Sequence, residues 1–415
     1  MGADIKEPLK LPCGLVLPNR LVKAAMAEGM ADKGYLPGER IFKAYSEWAK
    51  GGWGGILTGN IQVDVRHLGG YGDLATRGHQ EESQSLDAWK QYANACQQHG
   101  TPAIPQICHP GRQSPRGAGE RGLFGKPIAP SEVPLYIGSG LTASVVREIV
   151  FGTPKAMSRS DIDLVISQFV NCARILAQCG FSGIEIHAAH GYLLSQFLSP
   201  QSNRRQDDYG GSPERRARIV LDIIKQIRSA VPAGFCVGVK LNSADYNASD
   251  FEDTMTQIQL FHDAGVDFVE ISGGSYEDPT MMGRGVRDET AKSQRTESRE
   301  AFFLEFAAET RKRFPNLVLM LTGGFRTRNG INAALKGGVC DLVGIGRPAV
   351  LRPDFAQLIM DDSYSDQEAG VVFPKVPVPF LARLLQIKML GGGAETQYFR
   401  AQIQRIAAGL VTHAP

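Results

Sequence analysis

The chain of 415 residues is 43% hydrophobic, 21% charged and 8% aromatic, enough apolar content for a substantial buried core. Its formal net charge is +2 with no block of like charge, which speaks against a nucleic-acid or anionic-membrane partner. No apolar run is long enough to span a bilayer. The start, Met1-Gly2-Ala3-Asp4-Ile5-Lys6, lacks the apolar core of a signal peptide and the Ser or Thr that myristoylation wants at position 6, so the expected location is cytoplasmic. Cys13, Cys96, Cys108, Cys172, Cys179, Cys236 and Cys340 are dispersed with no C-x-x-C pair. They read as reduced core thiols, and their spacing argues against a zinc or iron–sulfur site.

In chain order, residues 10–18 look like a hairpin, placed to plug the bottom of whatever the following strands enclose. Residues 21–25, 56–59 and 103–107 are short continuous apolar runs, as strands buried on both faces should be. The segment 111–153 is rich in Gly and Pro, and so long an excursion reads as a lid or binding loop. Ser158 and Asp161 form a capping-box pattern ahead of a helical stripe of Ile162, Val165, Ile166, Phe169, Ala173 and Leu176. A strand at 183–187 and a helix at 213–230 follow, the latter ending before Pro232-Ala233-Gly234. Strand 237–241, helix 253–264 (closed by Gly265) and strands 268–271, 317–321 and 342–345 complete the alternation. A last helix covers 395–409, with Tyr398, Ile403, Ile406 and Ala407 on one side. Eight strands alternating with helices, and no linker dividing the chain, predict an α/β fold. It is a single (β/α)8 TIM barrel over 1–415, with an N-terminal hairpin plug and a long loop after strand three.

In such barrels the active site lies at the C-terminal ends of the strands. Strands seven and eight end in Thr322-Gly323-Gly324 and Gly344-Ile345-Gly346-Arg347-Pro348. Their glycines let backbone N–H groups approach a phosphate, and Arg347 adds a fork of donors; the alternative is plain turn glycines. Strand four ends in His187-Ala188-Ala189-His190-Gly191-Tyr192. This cluster fits a metal site, a hydrogen-bonded structural set, or a polar clamp in which two imidazoles hold a carbonyl oxygen and a tyrosine gives a proton. A tyrosine hydroxyl, with an ordinary pKa of ~10, is a neutral donor at pH 7. Lys240 at strand five requires an anionic partner: phosphate, a carboxylate or a reduced isoalloxazine. Gln106 at strand three both donates and accepts, as a flavin pyrimidine edge demands. Strand six delivers Ser272-Gly273-Gly274. Taken together, these strand ends describe FMN lying across the barrel mouth.

The run Gly-Phe-Ser-Gly-Ile-Glu-Ile-His-Ala-Ala-His-Gly-Tyr-Leu-Leu-Ser-Gln-Phe-Leu-Ser-Pro from Gly180 to Pro200, then Asn203-Arg204-Arg205 and Asp208-Tyr209-Gly210-Gly211-Ser212, resembles the signature of the Old Yellow Enzyme family of FMN oxidoreductases. Pro18-Asn19-Arg20, His109-Pro110-Gly111-Arg112 and Gly344–Pro348 extend the resemblance over nearly the whole chain. It implies an FMN flavoprotein that takes electrons from NADH or NADPH and reduces the C=C bond of an α,β-unsaturated carbonyl compound, an ene-reductase. Ala24, Ala25, Met26, Ala27, Gly59 and Gln106 would line the flavin, and Lys240 would sit at its N1–C2 edge. Gly323, Gly324, Gly346 and Arg347 would hold the phosphate. His187 and His190 would bind the substrate carbonyl, and Tyr192 would protonate the α-carbon. Ala25 and Ala27 replace the family's usual proline and its Thr or Cys, and Lys240 replaces a common Arg. The relatives that reduce dienoyl thioesters carry a cysteine cluster and further cofactor domains, which this chain lacks, so an FMN-only member is expected. Oxygen or a quinone as electron acceptor, as in an NADH oxidase or quinone reductase, is the alternative on the same site. A metal-dependent hydrolase using His187 and His190 is a more distant one.

Overall fold

The computed structural model describes residues 2–78, 83–138, 140–242, 248–272, 306–373, 376 and 388–412. Its centre is a closed barrel of eight parallel strands: β1 (Leu21–Lys23), β2 (Gly55–Gln62), β3 (Ala103–Cys108), β4 (Gly183–Ala188), β5 (Cys236–Asn242), β6 (Phe268–Ser272), β7 (Leu319–Thr322) and β8 (Leu342–Ile345). Each pairs with its neighbours in sequence, and β1 closes the ring by pairing with both β8 and β2. Closure leaves no barrel strand with a free edge, which is why the expected strands are all short and apolar.

The helices that return the chain between strands are α1 (Glu39–Lys50), α2 (Ser83–Gln97), α3 (Arg159–Gln178), α4 (Pro213–Ala230), α5 (Ala248–Asp263), α6 (306–313) and α7 (Arg328–Lys336), and α8 (Lys388–Ala407) follows the last strand. Each end has a local cause. Ser158 Oγ accepts from Asp161 N at 3.1 Å while the Asp161 carboxylate accepts from Ser158 N at 2.8 Å, the expected capping box at the start of α3. Pro213 opens α4 behind the Ser212 cap. The stripe predicted for α3 is buried from Ile162 to Leu176. Helix α5 begins earlier than the expected residue 253, and α8 begins before 395.

The hairpin is present as antiparallel strands Leu9–Lys10 and Val16–Leu17. Leu11 and Leu17 pack against Val22, Leu57, Ile104, Cys236, Phe268, Met320 and Leu342 and seal the N-terminal end of the barrel with hydrocarbon. The excursion after β3 is more ordered than its composition suggests. Ile128–Ala129 pairs with Lys155–Ala156, and Leu141–Val150 is a helix over a small core of Leu135, Ile137, Ala143 and Phe151. The signature arginines fasten this loop: Arg112 donates to the carbonyls of Val133 and Pro134, and Arg205 to those of Pro130 and Met157. The seven cysteines are free thiols, six of them buried. Among the described residues no helix is long and apolar enough to cross a membrane.

Candidate active site at the barrel mouth

Successive side chains on a strand point to opposite faces, so each barrel strand contributes one row to the interior. At the sealed end these rows are apolar. Further along the same strands they carry Ala24, Gln106, Glu185, Lys240, Glu270 and Thr322, and the interior becomes polar toward the C-terminal face. Gly238 lies between the two layers, where an added Cβ would run into the Phe268 ring.

The polar layer contains a buried ion pair. Lys240 Nζ lies 2.6 Å from Glu270 Oε1, with the two side chains 3% and 0% exposed. Gln106 Nε2 donates to the Glu185 carboxylate in the adjacent row. Burial and the neighbouring Glu270 charge push the Glu185 carboxyl well above the usual carboxylate range, toward its protonated form. Burial also works to raise Glu270, but the Lys240 charge and hydrogen bonds from Glu185, Lys240 and Thr322 outweigh it, and its pKa falls.

At the end of β4, His187 Nε2 and His190 Nδ1 are 2.9 Å apart, and His190 Nε2 lies 3.2 Å from Ser272 Oγ. The His190 backbone N–H donates to Asn242 Oδ1 at 2.8 Å. His190 has φ +59°, a left-handed conformation, which turns its ring back onto His187. Burial and the Lys240 charge hold both imidazoles well below the usual histidine range, so both are neutral. Tyr192 meets His187 edge to face, with centroids 4.8 Å apart. Asp73 approaches the same place: a Cβ on Gly69 would be 3.2 Å from Asp73 Oδ2 and 3.4 Å from the Tyr192 hydroxyl. Asp73 Oδ2 accepts from Gln62 Nε2 and from the Gly69 and Gly70 N–H groups, and burial raises its pKa to about 6.

The strand β1 end is held by hydrogen bonds. Gly59 N donates to Glu28 Oε1 and to the Tyr45 hydroxyl, each at 2.9 Å, and Lys23 is buried with Nζ 4.2 Å above the Trp48 ring. Ala24 is buried, Ala25 and Met26 are half-buried, and Ala27 is exposed, so the segment forms a graded apolar lip. Gly346 faces it from β8, where an added Cβ would stand 3.3 Å from Met26 Sδ. Gly323 and Gly324, with φ +150° and +75°, are exposed, with open space where a Cβ would go. Arg347 is not left waiting for a ligand: Nη1 donates to Glu395 Oε1 of α8 at 2.8 Å, and its guanidinium covers Phe373. Gly273 and Gly274 lie outside the described residues.

A flavin phosphate suits this surface. Gly323 and Gly324 adjoin one another with open space beside them and Gly346 faces the apolar lip, while elsewhere around the mouth His187 Nδ1 and Asn60 Oδ1 are buried polar atoms without partners. Two described groups bring acid, thiol or imidazole ligands together, Cys13–Cys236–Asp267 and Asp64–His67–His109, and neither includes His187 or His190. Glu185, Glu270, Glu28 and Asp73 were not foreseen. For Glu185 and Glu270 the signal was a carboxylate within an otherwise apolar strand, in Ile184-Glu185-Ile186 and Val269-Glu270-Ile271; Glu28 and Asp73 lie outside strands and carried no such mark.

The model of the NADH:flavin oxidoreductase / NADH oxidase family matches residues 4–366, and the chain belongs to that family. FMN is its cofactor, as the strand ends implied, and NAD(P)H its electron donor, as the resemblance implied. The NADH-dependent flavin oxidoreductase iliE of Neonectria sp. is 51% identical over 84% of this chain, which spans 46% of that relative's length. Its namesake from Hypocrea jecorina is 45% identical over 92% of this chain and 96% of its own length. The solved Old Yellow Enzyme homologue of Zymomonas mobilis superposes with a TM-score of 0.70 at 21% identity, covering 90% of this chain and 98% of that one. At that identity the likeness is one of fold.

Proposed function

We propose that the protein reduces the activated C=C bond of α,β-unsaturated carbonyl compounds, with Tyr192 delivering the proton to the α-carbon. FMN, when bound, would supply the hydride chemistry that links the nicotinamide to the β-carbon. The chain's own residues hold the reactants and manage charge and protons. Ala24, Ala25, Met26, Ala27, Gly59 and Gln106 line the ring; Lys240 stands at its pyrimidine edge; Gly323, Gly324, Gly346 and Arg347 surround the phosphate. Phosphate binding at Arg347 competes with the Glu395 contact, whose carboxyl is raised by burial and so gives up its charge more readily than an exposed one.

The observation that carries this reading is the neutral, buried imidazole pair with the tyrosine packed against it. A carbonyl oxygen entering between His187 and His190 takes the place of their mutual hydrogen bond. It receives N–H donors aimed where negative charge grows as the hydride arrives. A neutral pair suits a neutral substrate, since no buried cation needs compensating before it binds. The two imidazoles engage each other and Ser272, with no carboxylate or thiolate completing a metal set among the described residues, which weighs against the hydrolase reading. The domain assignment, one barrel unit over 1–415, is part of the same proposal.

The test is anaerobic turnover with NADH or NADPH against cyclohexenone and against a quinone. Enone turnover well above quinone turnover, with loss of the enone absorbance, supports the reading. Quinone turnover without enone reduction would assign the site to quinone reductase chemistry instead.

A further inference from the structure

In the interior layer beneath the barrel mouth, the Lys240 cation is met at 2.6 Å by Glu270, on the next strand and in direct register with it. Neither side chain has appreciable contact with water, so the pair cannot be screened by solvent and must be treated as one unit. Gln106 and Glu185 flank it on the other side. Of the other ionisable groups facing the pair, Glu185 is shifted up and His187 and His190 are shifted down, each toward its neutral form, and Lys23 lies near enough for its charge and that of Lys240 to repel. The Lys240 charge is therefore met at close range by the Glu270 carboxylate, and a ligand above the layer meets a partly offset field rather than a bare cation.

We infer that Glu270 is the positioning counter-ion of Lys240, and that it sets how much positive potential Lys240 presents to the pyrimidine edge of the flavin. The carboxylate fixes the ammonium's direction on β5 and offsets its charge. Flavin that gains negative charge at that edge is then stabilised less than an unpaired lysine would stabilise it. The inference rests on the proposed placement of Lys240 at the flavin edge, and the experiment separates the two.

The probe is sulfite. Its lone pair adds to N5 of oxidised flavin while an electron pair moves to the N1–C2 edge, and the visible band bleaches; no other reactant takes part. Titrations on flavin-loaded protein compare wild type with Glu270→Gln, Lys240→Gln and the double variant, alongside each midpoint potential. Glu270→Gln is expected to tighten sulfite binding by about tenfold, what one unit charge does at roughly 10 Å and an effective dielectric of about 20, and to raise the potential. Lys240→Gln, which leaves an uncompensated carboxylate, shifts both the other way. The double variant, having lost both charges, returns toward wild type. A packing role alone would not produce opposite signs that cancel. If Lys240→Gln weakens sulfite binding while Glu270→Gln leaves it unchanged, the counter-ion inference fails and the flavin placement stands. If neither change moves sulfite affinity, the placement of Lys240 fails with it. Should Glu270→Gln not fold, the double variant must still bind sulfite more tightly than Lys240→Gln; equal affinities overturn the inference.

Discussion

Replacing Tyr192 with Phe removes one oxygen from a ring that is 7% exposed and packed edge-on against His187. The ring itself, and the His187–His190 contact at 2.9 Å, have no reason to move. Flavin binding and its reduction by NADH should therefore keep wild-type rates. The protonation step is different, because no other neutral O–H in the strand-four cluster can replace the phenol. Losing a positioned general acid typically costs ~100- to 10,000-fold. At about 1.36 kcal/mol for each tenfold, that is roughly 3–5.5 kcal/mol of barrier. The assay is stopped-flow in two halves without oxygen: NADH against oxidised protein, then cyclohexenone against protein reduced with one equivalent of NADH. A fall confined to the second half agrees with the reasoning. An unchanged enone rate, or equal slowing of both halves, would refute the assignment of Tyr192.

Further outcomes follow from the same contacts. Changing both His187 and His190 to Ala should weaken phenol binding and abolish any long-wavelength band of the flavin–phenol complex, followed by spectral titration. Asp73 holds its proton up to about pH 6 in the folded chain, whereas a free Asp loses it near 3.8. The native state thus binds more protons between these values, and stability falls as pH rises through that window. Asp73→Asn should remove the fall and gain up to about 3 kcal/mol at pH 7 relative to pH 4 in urea unfolding. Gly238→Val forces a branched side chain into the Phe268 ring and should cost ~1–3 kcal/mol or more, visible as a lower Tm. Ser158→Ala breaks the capping box of α3 and should cost about 1 kcal/mol by denaturant titration.

The barrel was legible because its strands are buried on both faces and its helices are not. Residues 342–345 and 213–230 have the same bounds in the chain pattern and in the structure. The strand ends were legible because barrel chemistry collects there, and Gln106, His187 and Lys240 stand on the inner rows as alternation requires. What escaped is what depends on neighbours far along the chain. Nothing near Lys240 announces Glu270, and Arg347 finds Glu395 only because α8 returns across the barrel. The 111–153 segment was read from its glycines and prolines, yet Leu141–Val150 forms a helix there. Leu141, Val145 and Ile149 do recur at helical spacing, but the surrounding glycines and prolines dominated the reading, and that apolar stripe is exposed rather than turned to the core. The arginines of His109-Pro110-Gly111-Arg112 and Asn203-Arg204-Arg205 served as family marks. Their bonds to loop carbonyls show that those positions secure the excursion.

The left-handed backbone at position 190 restricts evolution as well as geometry. A β-branched or bulky residue there would be strained, whereas His, Asn and Asp occupy that region at low cost. Of these, His and Asn place a neutral donor beside His187. The turn thus screens replacements before activity is tested, and an imidazole-to-amide exchange is the change it admits at low cost that keeps a neutral donor beside His187. Designers seeking new acceptor substrates have a short menu at this site and a free hand in the excursion above it.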